Sequence, residues 1–202
     1  DVVVCQRILA DRAAKSAPQA QLVTLDNFLA DPHLDALYNA LTSTAPVLDA
    51  KAEAAAKEQI EWGLHQADII KISNEEVDFL WGLSPQESAQ KLLTEYGASL
   101  VYVTLGPKGC YFANRNCTGE IASPAEIHVV DTTGAGDIFG GSAMSRFLKL
   151  NKAPADLTKK ELTAITTFAC CAASLSTQKH GGITSVVPEA EVRERIARMV
   201  QA

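Results

Sequence analysis

The sequence predicts an α/β layered fold, a mainly parallel sheet covered by helices on both faces. Three observations carry this. From residue 50 onward, short apolar runs alternate with longer helical stretches, the order expected of strands joined by crossover helices. The run SLVYVTL (99–105) is apolar at nearly every position, as a strand covered on both faces must be. Glycines and capping residues stand where those helices have to start and stop, at Ser84, Gly82 and Gly97.

Taken in order, DVVVC at the start reads as a buried strand and HLDALYNAL (33–41) as a short amphipathic helix. All twelve glycines lie at Gly63 or later, and no functional motif is legible before residue 50. KAEAAAKEQIEWGLHQ (51–66) is rich in Ala, Glu and Lys and predicts a helix. ADIIKI (67–72) is a short strand, and NEEVDFLWG (74–82) a helix stopped by Gly82. Ser84 caps the next helix, with Pro85 at its first position, Glu87 three after the cap and Gly97 at its end. GPKG (106–109) is a turn, and CYFANRN (110–116) and EIHVV (126–130) are further strands. Helices follow at 136–150, 159–177 and 188–200.

Composition narrows the classes. Apolar residues make up 47% and charged residues 21% of the 202 residues, as in an ordinary globular protein. The net charge of −6 comes without a basic stripe, which argues against a nucleic-acid partner. No apolar run reaches membrane-spanning length, so no membrane partner is expected. The five cysteines include no C-x-x-C pair. They read as free thiols packed as small hydrophobes in a reducing cytoplasm.

The chemistry concentrates in VVDTTGAGDIFGG (129–141). Gly134, Ala135 and Gly136 have little or no side chain, so backbone N–H groups can approach an anion there. The helix that follows adds unpaired amides and the positive end of its dipole. Together they predict a phosphate-sized anion pocket. Asp137 stands at its rim, where a carboxylate can take the proton of an attacking hydroxyl. On these residues alone, a first-turn aspartate that only favours the dipole remains the alternative.

DTTGAGDIFGG resembles the second signature of the ribokinase-like (phosphofructokinase-B type) carbohydrate kinases, and matches every position of its D-T-x-G-A-G-D core. The resemblance extends over about residues 50–200. It implies Asp137 as catalytic base, and the amides of Gly134, Ala135, Gly136 and Asp137 as anion hole. VTLGPKG (103–109) resembles the family's nucleotide-bordering strand and turn, with Thr104 and Gly106 at ATP and Gly109 closing the turn. KISNEEVDFL (71–80) resembles the segment that often reads N-x-x-E. Ser73 takes the Asn position, as in the fructokinase-like branch. Glu76 takes the Glu position, beside the network of Mg²⁺, water and phosphate. FACCAASLSTQKHGGITSVVP (168–188) resembles the last nucleotide-pocket helix and its loop, with Gly181 at the turn. A monovalent cation such as K⁺ would then sit among the carbonyls of Asp131, Thr133, Ser176 and Gly181 and the Ser185 side chain. Lys108 and Lys179 fall near the phosphate region, as phosphate-attracting or merely solvated side chains.

The resemblance implies a ribokinase-like layered sheet that is incomplete, because the family's Gly-Gly signature, sugar-contacting residues and lid have no counterpart in residues 1–49. The expected division is therefore an unassigned segment 1–49 and a nucleotide-binding, catalytic part 50–202. Three functions are expected in order: an ATP- and Mg²⁺-dependent kinase turning fructose into fructose 6-phosphate; a catalytically incomplete module that only binds nucleotide; and a nucleoside or other small-molecule kinase of the same fold. A small sugar is the expected partner, and an open sheet edge would also invite a homodimer.

Overall fold

The computed structural model of the chain describes residues 2–6, 21–25 and 50–201. The chain divides into two compact units, 1–56 and 57–202. In the first, β1 (Val2–Gln6) pairs in parallel with β2 (Gln21–Leu25), Val2 opposite Gln21 and Gln6 opposite Leu25. The opening strand is where the apolar run placed it, whereas β2 is an element the sequence reading did not anticipate. The expected helix over 33–41 lies outside the described residues. Helix α1 (Ala50–Leu64) crosses the boundary between the units.

The second unit is built on a four-stranded sheet in the order β3 (Ile69–Ser73), β4 (Leu100–Thr104), β5 (Cys110–Asn114), β6 (Thr118–Ile121). Only β3 and β4 are parallel; β4–β5 and β5–β6 are antiparallel. This sheet is therefore mixed, not mainly parallel. The reason is connection length. Helices α2 (Asn74–Trp81) and α3 (Pro85–Thr94) supply a crossover between β3 and β4. By contrast, β4 and β5 are joined only by a 3₁₀ turn at Gly106–Lys108, and β5 and β6 only by residues 115–117. A parallel return needs a dozen residues or more.

Each face of the sheet has its own core. Ile70, Ile72, Val101 and Val103 pack with Val77 and Leu80 of α2 and Ala89 and Leu92 of α3. Leu100, Tyr102, Cys110 and Phe112 point the other way. They meet Phe139 and Ala143 of α4 (Ala135–Leu148) and Leu162, Ile165 and Ala169 of α5 (Lys159–Ser176). Burial on both faces is why β4 is apolar throughout. Helix α6 (Glu189–Gln201) closes against α5 through Val192, packed with Cys171 and Leu175.

Local signals set the helix starts. Ser73–Glu76, Ser84–Glu87 and Thr158–Glu161 each form a reciprocal capping box. Gly82 stops α2 in the left-handed region at φ 63°. Buried Asn114 holds the β5–β6 turn. Its Oδ1 accepts from the amides of Asn116 (3.0 Å) and Cys117 (2.9 Å), and its Nδ2 donates to the Leu157 carbonyl (2.9 Å).

One expected strand does not form. EIHVV joins no β ladder among the described residues, and the amides of Val130 and Asp131 donate to the Thr177 carbonyl just past the end of α5 (2.7 and 3.0 Å). Glu126 adopts φ 58°, which no strand accommodates. The partner position beside β5 is taken by β6, whose TGEI sequence gave little apolar signal.

Candidate active site

The C-terminal end of β3, the turn after β4, the loop after β6, and the facing parts of α4 and α5 surround a cavity of about 660 Å³. That lies within the size range of small-molecule and cofactor sites. Ser73 and Thr104 stand at adjacent strand ends, paired in register. With Gly106 and Gly109 they line the cavity on one side, and Ala135 and Gly136 line it at the first turn of α4. Ile127, Val129, Phe139 and Ala173 supply apolar wall. The cavity thus brings together six of the residues singled out from the sequence.

The turn after β4 depends on Gly109. At φ 116° its backbone lies so close to the Ile121 carbonyl that any Cβ would collide with it. The Leu105 amide donates to the Gly109 carbonyl (2.8 Å), which closes the loop over the strand end.

Helix α4 begins at Gly134, φ 76°. The Ala135 amide donates to the Thr132 carbonyl (3.2 Å), so it is already engaged in the turn. The amides of Gly134, Gly136 and Asp137 donate to no acceptor among the described residues. They are the unpaired donors a helix N-terminus offers to an anion. Asp137 lies three residues past the cap, exposed in the first turn.

A second loop is bound to this one. Asp131 Oδ1 accepts from the Thr133 amide (2.9 Å) and Oδ2 from the Gly181 amide (2.8 Å), with His180 Nδ1 3.9 Å away. Gly134 and Gly182 touch backbone to backbone. These contacts hold the Asp131 carboxyl at about 2, chiefly through the Gly181 N–H and then through Thr133, with a smaller contribution from His180. A depressed carboxyl contributes stability that is present above its unfolded value, near 3.9, and is lost as pH falls toward the folded value. The melting temperature should therefore drop between about pH 4 and pH 2. Asp131→Asn should flatten that part of the profile in a calorimetric pH series. An unchanged profile would show that the loop junction does not rest on this carboxylate.

Other predicted residues fall differently. Glu76 does not line the cavity; its carboxylate accepts from the Ser73 amide (2.7 Å) in the capping box, and it is Glu75 that faces the cavity. Ser176 donates to the Ala173 carbonyl (2.7 Å), and its own carbonyl accepts from the Lys179 amide (3.1 Å). Ser185 is buried with no partner for its Oγ among the described residues. Lys108 and Lys179 do not line the cavity. Lys71 does, although the sequence reading passed over it. The signal available was a lysine between two isoleucines in a strand, with its side chain on the α4 face.

The donor set bears on the expected ions. Among the described residues no group of three or more His, Cys, Asp or Glu side chains can hold a metal. Glu75 and Glu126, which line the cavity, fit a Mg²⁺ held mainly by phosphate oxygens and water, the mode that ion favours. The unpartnered Ser185 hydroxyl, on the segment that also carries Gly181, fits a monovalent-cation ligand.

Comparison with known proteins extends the picture. The family model described as pfkB family carbohydrate kinase matches residues 9–190. Fructokinase-1 of Zea mays is 37% identical over 134 residues, covering 66% of this chain and 41% of that protein. The chain thus spans about two fifths of the length of such a relative. Among solved structures, fructokinase with bound ATP from Xylella fastidiosa shares the fold at a TM-score of 0.63 and 24% identity, covering 71% of this chain and 47% of that one. Ribokinase of Arabidopsis thaliana, complexed with ribose and ATP, gives 0.56 and 25%, covering 67% and 43%. The match extends into the residues before 50, where no motif was legible, and with the ribokinase-like fold it places the chain in the pfkB family of carbohydrate kinases.

Proposed function

We propose that this chain carries the nucleotide and catalytic half, residues 50–202, of an ATP-dependent sugar kinase, with fructose as the preferred acceptor. The observation that supports it most is the turn at Gly134–Asp137, with the amides of Gly134, Gly136 and Asp137 free among the described residues, beside a nucleotide-sized cavity bordered by Thr104 and Gly106. ATP occupies that cavity, its phosphates directed to α4. Asp137 takes the proton from the acceptor hydroxyl as that oxygen bonds to the γ-phosphorus, the bond to ADP breaks, and the amides of Gly134, Gly136 and Asp137 stabilise the charge of the transferring group. Bound Mg²⁺ neutralises phosphate charge. Glu76 acts on it from a distance, by fixing Ser73 and the start of α2. The carbonyls of Asp131, Thr133, Ser176 and Gly181 and the Ser185 hydroxyl would hold a K⁺ at the loop junction, where it would add positive charge near the phosphates. Cys110, Cys117, Cys170 and Cys171 are free thiols, in keeping with a cytoplasmic enzyme. A homodimer across an open sheet edge is part of the same proposal.

The fructose preference rests on the Zea mays fructokinase likeness. Turnover with ATP, Mg²⁺ and a panel of fructose, ribose and a nucleoside tests it; the expected order puts fructose first, and a nucleoside turned over faster would displace it. A second reading is favoured by the coverage of 41% of that relative. On this reading the chain binds nucleotide but lacks part of the acceptor site, and it would bind ATP without turnover.

A further inference from the structure

We propose that Lys71 is the cation of this site and contacts the terminal phosphates of the bound nucleotide. The inference rests on the nucleotide reading above. Strand alternation fixes the side chain's direction. Ile70 and Ile72 are buried at 3% and 4% in the core with α2 and α3. Lys71, between them, therefore projects from the opposite face, where α4 lies. Its Nζ comes within 3.1 Å, and its Cε within 3.8 Å, of the point where a Cβ on Gly136 would stand. The ammonium consequently lies against the second residue of α4, beside the free amides of Gly136 and Asp137.

Three features separate it from an ordinary surface lysine. It is the one Lys, Arg or His among the residues that line the 660 Å³ cavity, while Glu75 and Glu126 add negative charge to the same wall. It forms no ion pair among the described residues, whereas Lys91, Lys149 and Lys152 each have a carboxylate partner. It also lines a second cavity of about 340 Å³, together with Tyr102 and Gly140, so the Lys71 residue borders both. A polyphosphate entering an acidic protein needs a compensating charge. An ammonium with three donors beside a helix N-terminus supplies one at the point where charge concentrates. Gly136 then has a second purpose: a side chain there would displace the ammonium.

The test measures affinity for ATP, ADP and AMP by calorimetric titration on this chain, its Lys71→Met variant and its Lys71→Arg variant. Because the side chain is exposed, Lys71→Met should melt at the unmodified chain's temperature. Lys71→Met should weaken ATP by about 10- to 100-fold, as loss of a charge-assisted bond does. AMP affinity should stay within roughly twofold, and Lys71→Arg should restore most of the ATP affinity. Equal ATP affinity in Lys71→Met and the unmodified chain would overturn the assignment of Lys71 and leave the nucleotide site standing. Equal weakening of ATP and AMP would also overturn it, pointing to a general loss of site structure. An unmodified chain that binds none of the three nucleotides would overturn the nucleotide reading and this inference together.

Discussion

Asn in place of Asp137 is expected to lower phosphoryl transfer to the sugar by about 10²- to 10⁴-fold, the usual contribution of a positioned general base. The loss should fall on kcat, with ATP affinity within roughly twofold of the parent, because in the proposed mechanism the carboxylate acts on the acceptor proton and not on nucleotide binding. The fold should be indifferent. Asp137 is exposed and has no hydrogen-bond or ion-pair partner among the described residues. Its remaining contribution is the interaction with the α4 dipole, about 0.3–1 kcal/mol. Steady-state kinetics beside a melting curve separate the two effects. Full activity in Asp137→Asn would return this residue to the role of a first-turn acid.

The second large effect is expected at Gly134. An added Cβ would stand 2.6 Å from Gly182 Cα, on a backbone already at φ 76°. The left-handed conformation costs a non-glycine residue about 1–2 kcal/mol. The backbone contact adds overpacking of about 1–3 kcal/mol, because no flexible side-chain end is there to yield. Gly134→Ala should therefore melt at least about 4 °C lower. It should also lose activity beyond what stability explains, since the shift opens the junction between the 131–137 and 180–182 loops. Gly140→Ala is the control. No described atom lies within 4 Å of a Cβ there, and mid-helix alanine gains up to about 1 kcal/mol over glycine. Equal melting of the two variants would show that the Gly134–Gly182 contact carries no stability.

These two positions also show what the sequence can and cannot disclose. The D-T-T-G-A-G-D run announces small residues before a helix, and the structure places α4 there. The partner of Gly134 is not legible, because Gly182 lies 48 positions away and its only signal is a second glycine pair. Helix boundaries came through where capping chemistry is local, at Ser84 with Glu87 and at Gly82. The sheet's direction did not. An apolar run such as β4 looks the same in parallel and antiparallel company, and the deciding fact was the short turns on either side of β5. EIHVV misled because alternating β-branched residues signal an extended chain, not a partner. Glu76 illustrates a different limit: S-x-x-E is at once a capping box and the place the resemblance reserves for a Mg²⁺-organising glutamate, and spacing alone does not separate the two. Lys71 was legible only once Ile70 and Ile72 were known to face the α2–α3 core.

The most direct test of the whole account is a transfer experiment with γ-labelled ATP, Mg²⁺, K⁺ and fructose on stoichiometric amounts of this chain, with Asp137→Asn alongside. The account predicts label on the sugar from the parent chain and none above background from the variant. Saturable ATP binding with no labelled sugar from the parent would contradict the kinase reading, and would leave a nucleotide-binding module lacking the acceptor half of its site.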